Sequence, residues 1–139
     1  MEMRLRSYRV ASWSLVLGGI GHTVADLTTP QTAAQSKLIL EMKAFVVQIL
    51  GGTANVFSFY QGFSLMMGLL LFGYGTLNLL LLKNNGQAPL PTNILLLNCL
   101  ITLISVVLSI QYFFIVPIVL TGIALLGYSV SILTQKNIT

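Results

Sequence analysis

The sequence predicts an all-α fold, a four-helix transmembrane bundle with one external amphipathic helix between the first and second spans. Three observations carry that expectation. Apolar residues make up 55% of the 139-residue chain and charged residues 7%, where soluble domains carry about 25% charged residues. Four apolar runs, at about 8–27, 57–82, 92–110 and 114–133, are each long enough to cross a bilayer, because a helix rising about 1.5 Å per residue needs about 20 residues for about 30 Å of hydrocarbon. The stretch between the first two runs is more polar and repeats at helical spacing. The length suits one domain, so residues 1–139 read as a single membrane-embedded unit with mean hydropathy +0.88.

The first span follows a basic N-terminus carrying Arg4, Arg6 and Arg9. Backbone groups in lipid have only each other as partners, so each run should be a helix. A basic start, an apolar core and "TVA" before Asp26 also fit a signal peptide. The length of the run and the Gly18–Gly19 interruption favour a span instead.

Residues of about 30–50 form the external element. "TTPQ" offers a threonine N-cap with proline at the first helical position. Leu38, Met42, Phe45 and Ile49 recur at helical spacing, Lys37, Glu41, Lys43 and Gln48 are interspersed, and Gly51–Gly52 closes the run. Too polar and short to span, the segment should lie on the outer surface or fold over the bundle.

Punctuation separates the remaining spans. "KNNGQAPLP" (83–91) packs Asn-Asn-Gly and two prolines into a turn. "QYFF" (111–114) breaks the last apolar stretch, and Pro117 suits the first turn of a new helix. With the N-terminus inside, Arg4, Arg6, Arg9, Lys83 and Lys136 are cytoplasmic and only Lys37 and Lys43 are outside. The positive-inside rule therefore puts both termini in the cytoplasm, at the plasma (inner) membrane. "NIT" at 137–139 matches a glycosylation sequon but falls on the cytoplasmic side.

The chemistry-bearing residues are few. Ser14, Gly18, His22 and Asp26 are spaced by four along the first span, with Ala11, Gly21 and Ala25 beside them. Small residues let membrane helices approach closely, so this stripe should face the other helices and carry the sole histidine with it. Gln61, Ser64, Gly68, Leu71, Gly75 and Asn78 form a matching stripe on the second span. Asn98, Thr102, Ser105 and Ser109 share a face of the third, and Thr121 and Tyr128 a face of the fourth. A polar seam should run down the bundle, densest near the outer surface. There His22, oriented by Asp26, would meet Gln61, with Tyr60 and Glu41 completing a ligand-binding pocket. A histidine with a carboxylate partner can relay protons or bind a polar ligand group, which makes His22 the candidate acid or base. The rival reading is that these residues only tie helix ends together.

Other classes fare worse. One histidine and two carboxylates have no second histidine or HExxH to support a metal, and haem would need His22 as its axial ligand. These residues leave the cofactor unknown. Seven basic residues, three of them at the N-terminus, point to anionic headgroups rather than nucleic acid. Cys99 is single and reads as a packing residue.

"FYQGFSLMMGLLLFGYG" (59–75) resembles a segment of an uncharacterised group of small bacterial four-helix membrane proteins. Members pair a G-x-x-H first helix, a Met-Lys segment and a G-F-S-x-x-x-G helix. The matching positions here are Gly19 with His22, Met42 with Lys43, and Gly62-Phe63-Ser64 with Gly68. The resemblance covers about the first 82 residues and implies no catalytic residue. More distantly, the layout is similar to DoxX-like membrane proteins, which are linked to quinone or thiol redox chemistry.

These readings converge on a protein that binds a lipophilic small molecule (a quinone, sterol-like or isoprenoid compound) in an outer-leaflet pocket, or serves as an accessory subunit. The alternatives are an enzyme doing acid/base chemistry on such a substrate through His22, or a structural bundle that forms homo-oligomers through glycine-rich faces.

Overall fold

A computed structural model describes residues 2–49, 51–86 and 88–136. Its elements are α1 (Glu2–Thr28), α2 (Ala33–Ala44), β1 (Val46–Ile49), β2 (Gly52–Asn55), α3 (Val56–Asn85), α4 (Thr92–Tyr112) and α5 (Ile115–Lys136). The fold is all-helical apart from one short hairpin. Three helices, α3, α4 and α5, are long and apolar enough to cross a membrane. α1 matches them in length but is interrupted by Arg4, Arg6, Arg9, His22 and Asp26. The "NIT" sequon lies outside the described residues.

The segment between α1 and α3 departs from expectation. The N-cap of α2 is Thr32, not Thr29. Its hydroxyl accepts from the Gln35 amide at 3.3 Å while the Gln35 side chain accepts from the Thr32 amide at 2.8 Å. That reciprocal pair satisfies two orphan donors at once, which Thr29 followed by Pro30 cannot offer. The helix stops at Ala44 instead of continuing to about 50. Phe45-Val46-Val47-Gln48-Ile49 is rich in β-branched and aromatic residues, which suit a strand, and Gly51 at φ +83° turns the chain. Val46 to Ile49 then pair antiparallel with Asn55 to Gly52. Phe45 and Ile49 thus leave the expected helical face, and α2 buries no residue. Lys43 sits 5.0 Å over the Phe57 ring, tying α2 to the start of α3.

The Asn55 side chain caps α3 by accepting from the Ser58 amide at 2.8 Å. Gly86, at φ +59°, lets the chain turn out of α3. α4 and α5 form the tight hairpin that Phe113–Phe114 and Pro117 foretell.

α1 is the central helix. It packs against α3 on one side and α5 on the other, and α5 also packs against α4. Glycine makes both α1 contacts close. A Cβ at Gly19 would stand 2.5 Å from the Phe72 amide nitrogen, and one at Gly75 would stand 2.7 Å from the Ser12 carbonyl oxygen. On the other side, a Cβ at Gly127 would stand 2.6 Å from the Ser7 carbonyl oxygen. Gly68 is buried, as the small-residue stripe requires, but Gly21 faces open space and Ala25 is exposed. The face that α1 gives to α3 runs through Ser12, Val16, Gly19 and Thr23.

The apolar core is Tyr8, Ala11, Leu15, Leu82, Leu90, Leu95, Ala124 and Tyr128. It gathers where the N-terminal half of α1 meets the ends of α3 and α5 and the start of α4. Arg4, expected in a cytoplasmic segment, is 2% exposed. Its Nη2 donates to the Ala88 carbonyl at 3.3 Å, so the 83–91 turn folds over it. α1 starts six residues before the apolar run, and that extra length carries Arg4 under the turn.

Candidate functional site

His22, Asp26, Tyr8, Leu15 and Arg4 are separated by steps of four and seven, so they share one side of α1. His22 and Asp26 are both half-buried at the far end from Arg4. His22 Nε2 lies 3.0 Å from the Ser64 carbonyl oxygen and 3.0 Å from its hydroxyl. Nε2 can donate to the carbonyl in one tautomer or accept from the hydroxyl in the other, so Ser64 holds this nitrogen either way, and no hydrogen bond joins His22 to Asp26 among the described residues.

Asp26 Oδ2 is buried and has no hydrogen-bond partner. No hydrogen bond or ion pair joins His22 or Asp26 to Gln61, Tyr60 or Glu41 among the described residues. Gln61 is half-buried one turn before Ser64, whereas Tyr60 is 58% exposed and Glu41 is exposed on α2. The structure brings His22 to α3, and no hydrogen bond or ion pair ties the five residues together among the described residues. Among the described residues, no group of three His, Cys, Asp or Glu side chains is placed to hold a metal ion.

Gly19, Ile20, Thr23 and Val24 of α1 and Leu65, Gly68, Leu69 and Phe72 of α3 line an open groove of about 320 Å³, which none of His22, Asp26 and Ser64 lines. The Thr23 hydroxyl donates to the Gly19 carbonyl at 3.0 Å, so the groove is apolar despite that residue.

The buried polar groups concentrate at the opposite end from the expected site. The Tyr8 hydroxyl donates to Asn78 Oδ1, and the Tyr74 hydroxyl to Asn98 Oδ1. Asn98 Nδ2 donates to Asn78 Oδ1 at 2.7 Å and to the Tyr8 hydroxyl at 3.1 Å. Asn78 Nδ2 turns back to the Tyr74 carbonyl at 2.9 Å. Ser12 and Tyr128 share a bond of 3.2 Å between their hydroxyls, and the Tyr8 and Tyr128 rings meet edge to face at 5.1 Å. Asn78, Asn98 and Tyr128 stand on the seam that helical spacing marks out. Tyr8 and Tyr74 give no such signal, because a tyrosine in an apolar run reads as bulk until its hydroxyl's partner is known.

The Tyr8–Asn78–Asn98–Tyr74 network links α1, α3 and α4, and both amide hydrogens and the carbonyl of Asn98 are used within it. Two buried acceptors have no donor among the described residues, Asp26 Oδ2 at the His22 end and Gln135 Oε1 at the other. An unmet buried polar atom calls for a ligand, water or ion. Comparison with known proteins gives no match to this chain among family profiles, curated proteins or solved structures.

Proposed function

We propose that this chain is a four-span integral membrane protein of a bacterial inner membrane, with both termini cytoplasmic and residues 29–55 outside. It binds a lipophilic small molecule at the outer end, between α1 and α3. The observation that carries the reading is the buried, unpartnered Oδ2 of Asp26, one helical turn from His22. An ionisable residue at membrane depth costs at least about 2–3 kcal/mol and is a functional candidate for that reason.

The hydrogen-bond inventory narrows the ligand class. The unpartnered oxygen of the Asp26 carboxylate is an acceptor. Its complement is a donor: a hydroxyl or amine on an apolar body, as a quinol, sterol or isoprenoid alcohol supplies. The open groove of about 320 Å³ between α1 and α3, which His22 and Asp26 do not line, would take the apolar body of the ligand.

The test is native mass spectrometry of the protein extracted with its own membrane lipids. The wild type should retain a hydroxyl- or amine-bearing lipophilic species, and Asp26→Ala and His22→Ala should lose it. Identical spectra for all three proteins, or no bound species in the wild type, would overturn the reading. In that event the structural alternative stands, with the polar residues acting only to join helices.

A further inference from the structure

Hydroxyls on the long helices mostly turn back onto their own backbone. Ser12 donates to the Tyr8 carbonyl at 2.9 Å, Ser105 to Ile101 at 2.8 Å, Thr121 to Pro117 at 2.8 Å and Ser131 to Gly127 at 2.8 Å. That is the ordinary course for a serine or threonine inside a helix. Ser64 departs from it. Among the described residues its hydroxyl meets only His22 Nε2, at 3.0 Å. In the tautomer with its hydrogen on Nδ1, Nε2 accepts from that hydroxyl, which has no other acceptor. Glycine gives the ring room, since a Cβ at Gly68, one turn on from Ser64, would stand 3.4 Å from His22 Cδ2. Two groups with spare capacity flank the pair. Asp26, one turn from His22, carries the unpartnered Oδ2. Gln61, half-buried one turn before Ser64, makes no side-chain hydrogen bond among the described residues.

We infer that Ser64 is a nucleophile with His22 as its base, and that the pair hydrolyses an ester of a lipophilic alcohol. A hydroxyl within about 2.6–3.2 Å of an imidazole nitrogen, with a third group beside the imidazole, is the arrangement of an activated nucleophile. Ser64 Oγ attacks the ester carbonyl carbon while its proton passes to Nε2. The Asp26 carboxylate stabilises the imidazolium that forms. The Gln61 amide, on the same face of α3, donates to the carbonyl oxygen as it gains charge. The bond from that carbon to the alcohol oxygen then breaks, and His22 returns the proton to the departing oxygen. Water adds to the acyl carbon next, giving a proton to His22. The carbon–Oγ bond breaks and that proton restores the Ser64 hydroxyl. The products are an alcohol and a carboxylic acid. The inference rests on the binding reading in one respect: the alcohol released is the hydroxyl-bearing species that Asp26 accepts from.

The full-length protein in detergent, given farnesyl acetate and, separately, an alkyl fluorophosphonate, provides the test. The wild type should release farnesol, and the fluorophosphonate should attach to Ser64 with loss of fluoride. Ser105, bonded to its own helix, should stay unlabelled. Ser64→Ala should abolish both reactions. His22→Ala should slow both by about 10²–10⁴-fold, the worth of a positioned general base. That variant also loses a helix contact, so Gln61→Leu supplies a second readout. It breaks no side-chain hydrogen bond among the described residues and should slow farnesol release by about 10²–10³-fold. Failure of the wild type to label at Ser64 would overturn the inference, and so would wild-type rates in His22→Ala or Gln61→Leu. If unlabelled wild type still retains a hydroxyl-bearing species in native mass spectrometry, this inference fails while the binding reading survives.

Discussion

Asn98 donates to Asn78 at 2.7 Å, across the gap between α4 and α3. Both residues are almost fully buried, at 2% and 1% exposure. α1 touches α3 and α5 through glycine and serine, but α3 and α4 meet chiefly through these amides and Tyr74. Helices in lipid gain little from burying apolar surface against each other, so polar contacts and close packing supply the association.

Replacing Asn98 by leucine should therefore destabilise the protein by about 1–3 kcal/mol, because Asn78 and the Tyr74 hydroxyl lose partners in a dry interior. Unfolding in mixed micelles would measure it. In a double-mutant cycle with Asn78→Leu, the pair should cost less than the sum of the singles, since removing both partners leaves fewer orphaned groups. Strict additivity would mean that the two amides act independently.

Glycine positions give a paired expectation. Gly75→Leu drives a side chain into Ser12 and Val16 of α1 and should cost about 1–3 kcal/mol by overpacking. Gly73, two residues away, faces open space. Gly73→Ala should be neutral, or stabilising by up to about 1 kcal/mol, through helix propensity. Comparable losses at both positions would show that flexibility of α3 matters rather than contact with α1.

How much of this was legible beforehand varies with the physics. Gly68 and Gly75 could be read because close packing needs small residues at a fixed helical spacing. The break at Phe113–Phe114 could be read because Pro117 belongs in a first turn. Phe45 to Ile49 could not, since a short run of aromatic and β-branched residues satisfies a helix period and a strand equally. The turn glycine and the pairing with β2 decide it. The burial of Arg4 could not be read, because it depends on a turn more than eighty residues away. The His22–Asp26 stripe was visible from spacing. That Ser64 holds the imidazole was not, because a backbone carbonyl leaves no mark in a sequence.

Orientation is open to direct chemistry. In a Cys99→Ser background, Gln35→Cys on α2 should react with an impermeant maleimide on intact cells under the proposed topology, which puts the 29–55 segment outside. Asn84→Cys, exposed at the end of α3, should react only after the cells are opened. It is a better probe than Gly86, whose positive φ strains any side chain. The reverse labelling pattern would invert the topology and move the Asp26 end to the cytoplasmic leaflet.

Asp26 yields the most discriminating expectation, because its sign differs between the two readings. A structural carboxylate stabilises the fold, and its removal must cost stability. A carboxylate whose Oδ2 is buried without a donor instead carries an uncompensated desolvation cost of about 1–3 kcal/mol whenever no ligand is bound. Asp26→Leu should therefore raise the unfolding temperature of lipid-stripped protein while abolishing retention of the hydroxyl- or amine-bearing molecule. Stability gained where function is lost is the behaviour of a site kept polar for its ligand. His22→Ala should differ, because His22 bonds to Ser64 in the unliganded protein and its loss removes a helix-to-helix contact. Thermal unfolding of the two variants, before and after adding back total membrane lipid extract, would settle the assignment. Added lipid should stabilise the wild type and leave Asp26→Leu unmoved. A lower unfolding temperature for stripped Asp26→Leu than for stripped wild type would place Asp26 among the structural residues.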